Sequence, residues 1–249
     1  MLRTGGTGSG FFLNTTTNVY LVTARHVLMD GQAASLQCPI AELVSYSGDP
    51  DDRTSNRMLL DLGLLFSNKC VNVHKSSDVM AIKLFTSMTN GVPCPRGQMA
   101  ALPGVAVVQA SSNGVVGVKL GTVKRYDDVL VANEVYLFGN PSSLGIQEQP
   151  QLDPLRPLLR KGIVAALNDK SHSIVLDCPA YPGSSGGPVL EAEGDQAGRQ
   201  MRVIGVVCQF VPSAEVWVNA SNGFANRNLS NSGYSIATPM DPVLELMGL

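Results

Sequence analysis

The feature that most constrains this chain is its punctuation. Short apolar runs recur along the whole sequence, and clusters of Gly, Pro, Asn and Asp interrupt them. Runs this short suit strands, since an amphipathic helix needs a longer stretch at a 3.6-residue period. GFFL (10–13), the turn NTTTN and VYLVTA (19–24) predict a hairpin. Further strands are expected at 58–66, 79–85, 105–110, 115–123, 129–138, 162–167, 173–177, 203–210 and 234–238. Helical periodicity is scarce: one turn at 24–29 and a terminal helix at 241–249, with Pro242 near its first turn. Strands at this spacing argue for barrels or sandwiches, not α/β layers. The turn-rich stretch TSMTNGVPCPRGQMAALPG (86–104) reads as a linker between two all-β halves, 1–95 and 96–249.

Composition narrows the function classes. Of 249 residues, 44% are hydrophobic and 15% charged, and the net charge is −2. That balance fits a packed globular chain and argues against a disordered protein or a nucleic-acid binder. No apolar run approaches the roughly 18 residues of a membrane span, and no Lys/Arg-led signal peptide opens the sequence. Cys38, Cys70, Cys94, Cys178 and Cys208 are odd in number and never spaced C-x-x-C, so they suggest neither a disulfide framework nor a zinc site. The expectation is a reduced, cytoplasmic protein. The triplets at Asn14, Asn219 and Asn228 match a glycosylation acceptor, which matters only in a secretory compartment. The acidic run 48–53 reads as a solvated loop.

Residues 182–189, PGSSGGPV, surround two serines with the smallest residues available. Glycine costs conformational entropy, so the stretch is either an ordinary tight turn or a nucleophile turn that must admit backbone close to a substrate. Gly183, Ser185 and Gly187 also satisfy G-x-S-x-G. In an α/β-hydrolase the acid and the histidine follow that serine, whereas here the last histidine is His172. A subtilisin-like order would have to recruit His74 or His172, because no Asp or Glu precedes His26. The order His, Asp, Ser has the fitting local contexts. His26 ends an apolar strand in YLVTARHVL, Asp78 sits in a polar turn entering the strand of HKSSDVMAIKL, and Ser185 follows on the glycine-rich turn. Ser184 is the plain serine at the x position, and His74 and His172 read as surface residues.

TARHV, DVMAIKL and PGSSGGPV together resemble the trypsin-like (chymotrypsin-fold) serine peptidases, above all bacterial trypsin-like and HtrA-type peptidase domains without a PDZ domain. The opening GTGSGF (6–11), a G-N-P turn at Gly139–Pro141, GIVAAL, the run from Asp177 to Gly187 and YSIATPM follow in the same order. The likeness departs in an insert at about residues 146–161. It implies two six-stranded antiparallel β-barrels with a C-terminal helix, and a serine endopeptidase working through an acyl-enzyme without metal or cofactor. Ser185 would be the nucleophile, His26 the base and Asp78 its orienting acid, with the N–H groups of Gly183 and Ser185 forming the oxyanion hole. Pro179, Ala180, Cys208, Gln209, Phe210 and Gly233 would wall the primary substrate pocket.

The expected partner is a protein or peptide substrate, with no nucleic acid and no membrane. The insert is the expected seat of any regulatory partner's action. Two rivals stand beside this reading: a silent pseudo-protease that binds a peptide strand, and a self-processing peptidase or esterase.

Overall fold

Alternation along a few strands builds three apolar clusters and, with them, the whole molecule. The computed structural model describes the chain apart from residues 4–6, 31–34, 48, 50, 89–98, 112–114, 141–148, 154, 195–197, 219, 220 and 222. Along the strand Phe11–Asn14, Phe12 points to one side and joins Leu21, Leu28, Leu60 and Ile82 in the core of the first half. Phe11 and Leu13 point to the other side, as a period of two requires. There they meet Val22 and Val79, together with Val203, Val206, Met240 and Val243 from the second half. The register agrees, because Phe11 faces Val22 and Phe12 faces Leu21 across the predicted hairpin. A third cluster, including Val135, Leu137, Val164, Ile174, Leu176 and Val207, fills the second half.

The fold is all-β, with a short terminal helix. In the second half, six strands close into a barrel in the order Glu134–Gly139, Leu158–Asn168, Ser173–Asp177, Ala225–Pro239, Gln200–Val218 and Pro188–Glu193. The first half differs in detail from the single closed barrel expected. Its strands form two sheets, one of which orders Val105–Gln109, Ser55–Asp61, Ile40–Tyr46, Leu2–Arg3 and Thr7–Gly8. The other orders Gly117–Lys119, Phe11–Asn14, Asn18–Thr23, Met80–Ser87 and Val71–Val73. The chain crosses between them at Ser9 and Gly10. Ser9 cannot continue a ladder, because its N–H donates to the Ser185 carbonyl at 2.8 Å and its carbonyl accepts from Thr23 Oγ1 at 2.7 Å. The strands Met99–Ala101, Val105–Gln109 and Gly117–Lys119 pair within these first-half sheets, although they follow the expected division near residue 95. Much of the proposed linker, 89–98, lies outside the described residues.

Several expected strands are cut short by local hydrogen bonds. The run 58–66 is a strand only to Asp61, whose side chain then caps the helix Leu62–Ser67 by accepting from the Leu64 N–H at 2.9 Å. In 115–123 the strand covers Gly117–Lys119 before a 3₁₀ turn at Leu120–Thr122. Within 129–138 it covers only the part from Glu134, and a 3₁₀ turn at Tyr126–Asp128 precedes that expected run. Pro188–Glu193 was not expected as a strand, because a charge sits where alternation wants an apolar residue. Glu191 is fully buried, yet Lys124 Nζ lies 2.6 Å from its Oε2, and the Leu130 N–H and Asn133 Nδ2 donate to Oε1. A buried carboxylate persists only when paired and hydrogen-bonded in this way.

The terminal helix, Asp241–Met247, starts with Pro242 in its first turn and ends at Gly248 with φ of +74°. Val243 enters the cluster between the halves. Asn72 Nδ2 donates to the Leu246 carbonyl at 3.0 Å, so the helix also holds the segment leading to Asp78. Among the described residues no helix is long and apolar enough to cross a membrane. Gln200–Val218 and Ala225–Pro239 run past the barrel as a two-stranded ribbon, paired from Pro212 with Asn231 to Val218 with Ala225. Its outer part has no buried face, which is why no alternation marked it in the sequence.

Leu13 is fully buried in the cluster joining the halves. Leu13→Ala is expected to cost about 2–5 kcal/mol and to lower the Tm by roughly 4–20 °C in a thermal melt. Leu59→Ala, on the exposed face of a strand in the first half, should change stability by no more than about 0.5 kcal/mol. Equal shifts for the two would show that the seam between the halves carries no special load.

Candidate active site

Ala24, Val27 and Leu28 are buried and seat the one-turn helix Arg25–Leu28 at the end of the strand Asn18–Thr23, leaving His26 at the surface. Asp78 directly precedes buried Val79, which fixes its turn at the start of Met80–Ser87. The two residues meet twice. Asp78 Oδ2 lies 2.5 Å from His26 Nδ1, and Asp78 Oδ1 accepts the His26 backbone N–H at 3.0 Å. The Arg25 N–H also donates to the Asp78 carbonyl at 3.3 Å. A carboxylate can only accept, so a neutral His26 carries its proton on Nδ1 and presents Nε2 as a lone pair.

Ser185 stands on a turn whose peptide groups are nearly all engaged. The Ser184 N–H donates to the Tyr181 carbonyl at 2.8 Å, and the Gly187 N–H to the Ser184 carbonyl at 3.0 Å. The Gly186 N–H donates to the Val207 carbonyl at 2.7 Å. Among the described residues, no partner takes the N–H of Gly183 or of Ser185. Gly183 has φ of +92° and Gly186 φ of +87°, conformations that L side chains rarely adopt. At Gly186 the need is also spatial, because a Cβ would lie 2.1 Å from the Ser9 carbonyl oxygen.

A cleft of about 210 Å³ gathers His26 and Ser185 with Ala180, Tyr181, Pro182, Val207, Cys208, Gln209 and Phe210. Ala180, Cys208, Gln209 and Phe210, expected in the pocket wall, line this cleft. Pro179 and Gly233, also expected in the pocket wall, do not line this cleft. The Pro179 carbonyl accepts from Arg160 Nη1 at 3.1 Å, and the Gly233 N–H closes a local turn on Asn231 Oδ1 at 2.9 Å. Tyr181, Pro182 and Val207 line the cleft instead. Tyr181 is steadied by the Arg160 guanidinium, 4.1 Å from its ring centroid. The lining contains no carboxylate, and Asp177 is exposed at the end of its strand.

His74 and His172 stand apart from this cleft. His74 contacts Glu245 at 3.2 Å, and His172 stacks on Tyr126 with centroids 4.1 Å apart. Among the described residues no group of three or more His, Cys, Asp or Glu side chains is placed to hold a metal ion. The motif GTGSGF (6–11) gives no role to Ser9 in the sequence, yet Ser9 reaches the turn that carries Ser185. The available signal was a serine held between two glycines directly before an apolar strand.

A sequence model of the family described as the trypsin-like peptidase domain matches residues 8–198. The chain therefore belongs to the trypsin-like peptidases. A search of curated proteins found no match. Among solved structures, the chain is similar to the HtrA-type protease AlgW with a decapeptide, at 17% identity and a TM-score of 0.47, covering 97% of this chain and 50% of that one. A variant of AlgW with a tripeptide is similar at 17% identity and a TM-score of 0.44, over 99% of this chain and 57% of that one. The chain thus spans about half the length of those proteins.

Cys208 lines the cleft beside Ser185, and burial pushes its thiol up to about 11, against an opposing hydrogen bond from Thr238. A raised pKa keeps the thiol protonated, leaving roughly one thiolate in ten thousand at pH 7. Iodoacetamide at pH 7–8 is therefore expected to spare peptidase activity and to leave the Cys208 peptide unmodified by mass spectrometry. Rapid inactivation traced to Cys208 would contradict this assignment.

Proposed function

We propose that this peptidase is a serine endopeptidase in which Ser185 is the nucleophile, His26 the general base and Asp78 the residue that orients it. The observation that carries the reading is the 2.5 Å contact between Asp78 and His26 at a cleft that Ser185 also lines. Ser185 Oγ attacks the carbonyl carbon of the scissile peptide while His26 Nε2 takes the hydroxyl proton. Asp78 holds the ring in the required tautomer and stabilises the imidazolium. The N–H groups of Gly183 and Ser185 receive the oxyanion, a contribution of about 2.7–4 kcal/mol per donor in this type of site. The tetrahedral intermediate collapses as His26 returns the proton to the leaving amine. Water then repeats the sequence on the acyl-enzyme and releases the second product.

The cleft also bears on substrate choice. Lys or Arg ahead of the cut needs a buried negative charge to offset desolvation, and the lining offers none. Phe210 and Tyr181 are the bulky aromatic residues of a lining that also holds Ala180, Pro182, Val207 and Cys208. The favoured residue is therefore small or medium and apolar, in a peptide or protein substrate.

Ser185→Ala is expected to abolish peptide hydrolysis and fluorophosphonate labelling with the fold intact, a loss of several orders of magnitude. Ser184→Ala should retain most activity, since among the described residues the Ser184 hydroxyl makes only a 3.4 Å contact with the Tyr181 N–H. An unchanged rate in Ser185→Ala would overturn the mechanism. A parent protein that labels but cuts no peptide in trans would point to self-processing.

For specificity, peptides differing only in Ala, Val, Leu or Arg ahead of the cut should favour the apolar three, with one methylene changing selectivity by about 1–3 kcal/mol. A clear preference for Arg would mean that an acid reaches the pocket, contrary to the lining.

A further inference from the structure

Ser9 is a buried polar residue that the mechanism above leaves unused. It is 2% exposed, and all four of its hydrogen-bonding groups are engaged. Its hydroxyl donates to the Gly183 carbonyl at 2.7 Å and accepts the Asn140 N–H at 2.8 Å. Its own N–H donates to the Ser185 carbonyl at 2.8 Å. Its carbonyl accepts from Thr23 Oγ1 at 2.7 Å.

These bonds act on the peptide planes of the nucleophile turn. The peptide joining Gly183 to Ser184 is held at both ends, its carbonyl by Ser9 Oγ and its N–H by the Tyr181 carbonyl. The peptide joining Ser185 to Gly186 is likewise held at both ends, its carbonyl by the Ser9 N–H and its N–H by the Val207 carbonyl. Between them lies the Ser185 N–H, which like that of Gly183 has no partner among the described residues. The other, the Gly183 N–H, belongs to the residue whose carbonyl Ser9 grips, and the preceding Pro182 has a fixed φ. Ser9 thus fixes the plane on one side of each free donor.

Ser9 comes from the first half, and the turn from the second. Through Thr23, three residues before His26, the same residue is bonded to the segment that carries the base. We propose that Ser9 is a positioning residue that sets the two oxyanion donors and registers the nucleophile turn against the His26 segment. The role rests on the serine-endopeptidase reading above, and it is exerted through backbone, without contact with the reacting atoms. Gly186 belongs to the same device, since only glycine admits the Ser9 carbonyl so close to it.

An oxyanion donor acts in the transition state, so its displacement should appear in kcat and not in KM. Ser9→Ala is expected to lower kcat for a peptide substrate by about 10–100-fold, with KM changed less than about threefold. The affinity of a peptidyl boronate, whose tetrahedral adduct places an oxygen in the hole, should fall in parallel. The midpoint of the pH–rate profile should not move, because the His26–Asp78 contact is untouched. Should Ser9→Ala not fold, Ser9→Cys carries the same test, keeping the side-chain size while weakening both side-chain hydrogen bonds. An active parent matched in kcat and boronate affinity by the folded variant overturns the role of Ser9 alone. So does a loss confined to KM or accompanied by a shifted pH midpoint. A parent that neither cuts peptides nor labels at Ser185 overturns the peptidase reading, and this role with it.

Discussion

The seam between the halves is the constraint on which the site depends. His26 and Asp78 come from one half and Ser185 from the other, so no local structure can hold them together. What holds them is a shared apolar cluster in which Phe11, Leu13, Val22 and Val79 meet Val203, Val206, Met240 and Val243. The strands that build it also lead into the site. Val22 lies four residues before His26, Val79 follows Asp78 directly, and Val206 precedes the cleft residue Val207. Close packing leaves such side chains little room to shift, so the seam passes its rigidity to the site.

Polar groups finish what the apolar seam begins. Asp78 binds both the ring and the backbone of His26, which fixes a short helix whose own N-cap residue, Ala24, supplies no side-chain hydrogen bond. Ser9 binds the turn that carries Ser185 at two carbonyls, those of Gly183 and Ser185. Deeper in the second half, Glu191 gathers Lys124, the Leu130 N–H and Asn133 onto one buried carboxylate. Burial alone would lower the pKa of Lys124, but its hydrogen bonds to Glu191 and Glu193, with the attraction of their charges, outweigh it and the pKa is raised. Among the described residues the two buried charged side chains, Lys124 and Glu191, are paired with each other, and the cleft lining holds no carboxylate.

Particular residues show how far the sequence could be read. The hairpin 10–24 was legible because one face of each strand enters the first core and the other enters the seam, so both faces are apolar. His26, Asp78 and Ser185 stood out as candidates because each lies in a distinctive short motif, in the order His, Asp, Ser, which neither the α/β-hydrolase nor the subtilisin order shares. Pro188–Glu193 was not legible, because Glu191 breaks the pattern and its partner Lys124 is remote in the chain. The ribbon beyond Pro212 was not legible either, because a strand with two wet faces has no alternation to display.

The sequence by itself determined the all-β class, the terminal helix and the residues able to carry nucleophilic chemistry. Period, turn chemistry and motif are local properties, and local properties can be read along a chain. Tertiary structure alone decided that the first half is two sheets, that Tyr181, Pro182 and Val207 line the cleft while Pro179 and Gly233 do not, and that Ser9 reaches Gly183 and Ser185. Those outcomes depend on which distant groups satisfy each buried donor and acceptor. Ser9 and Gly183 are 174 positions apart, and nothing in either neighbourhood states that a hydrogen bond joins them.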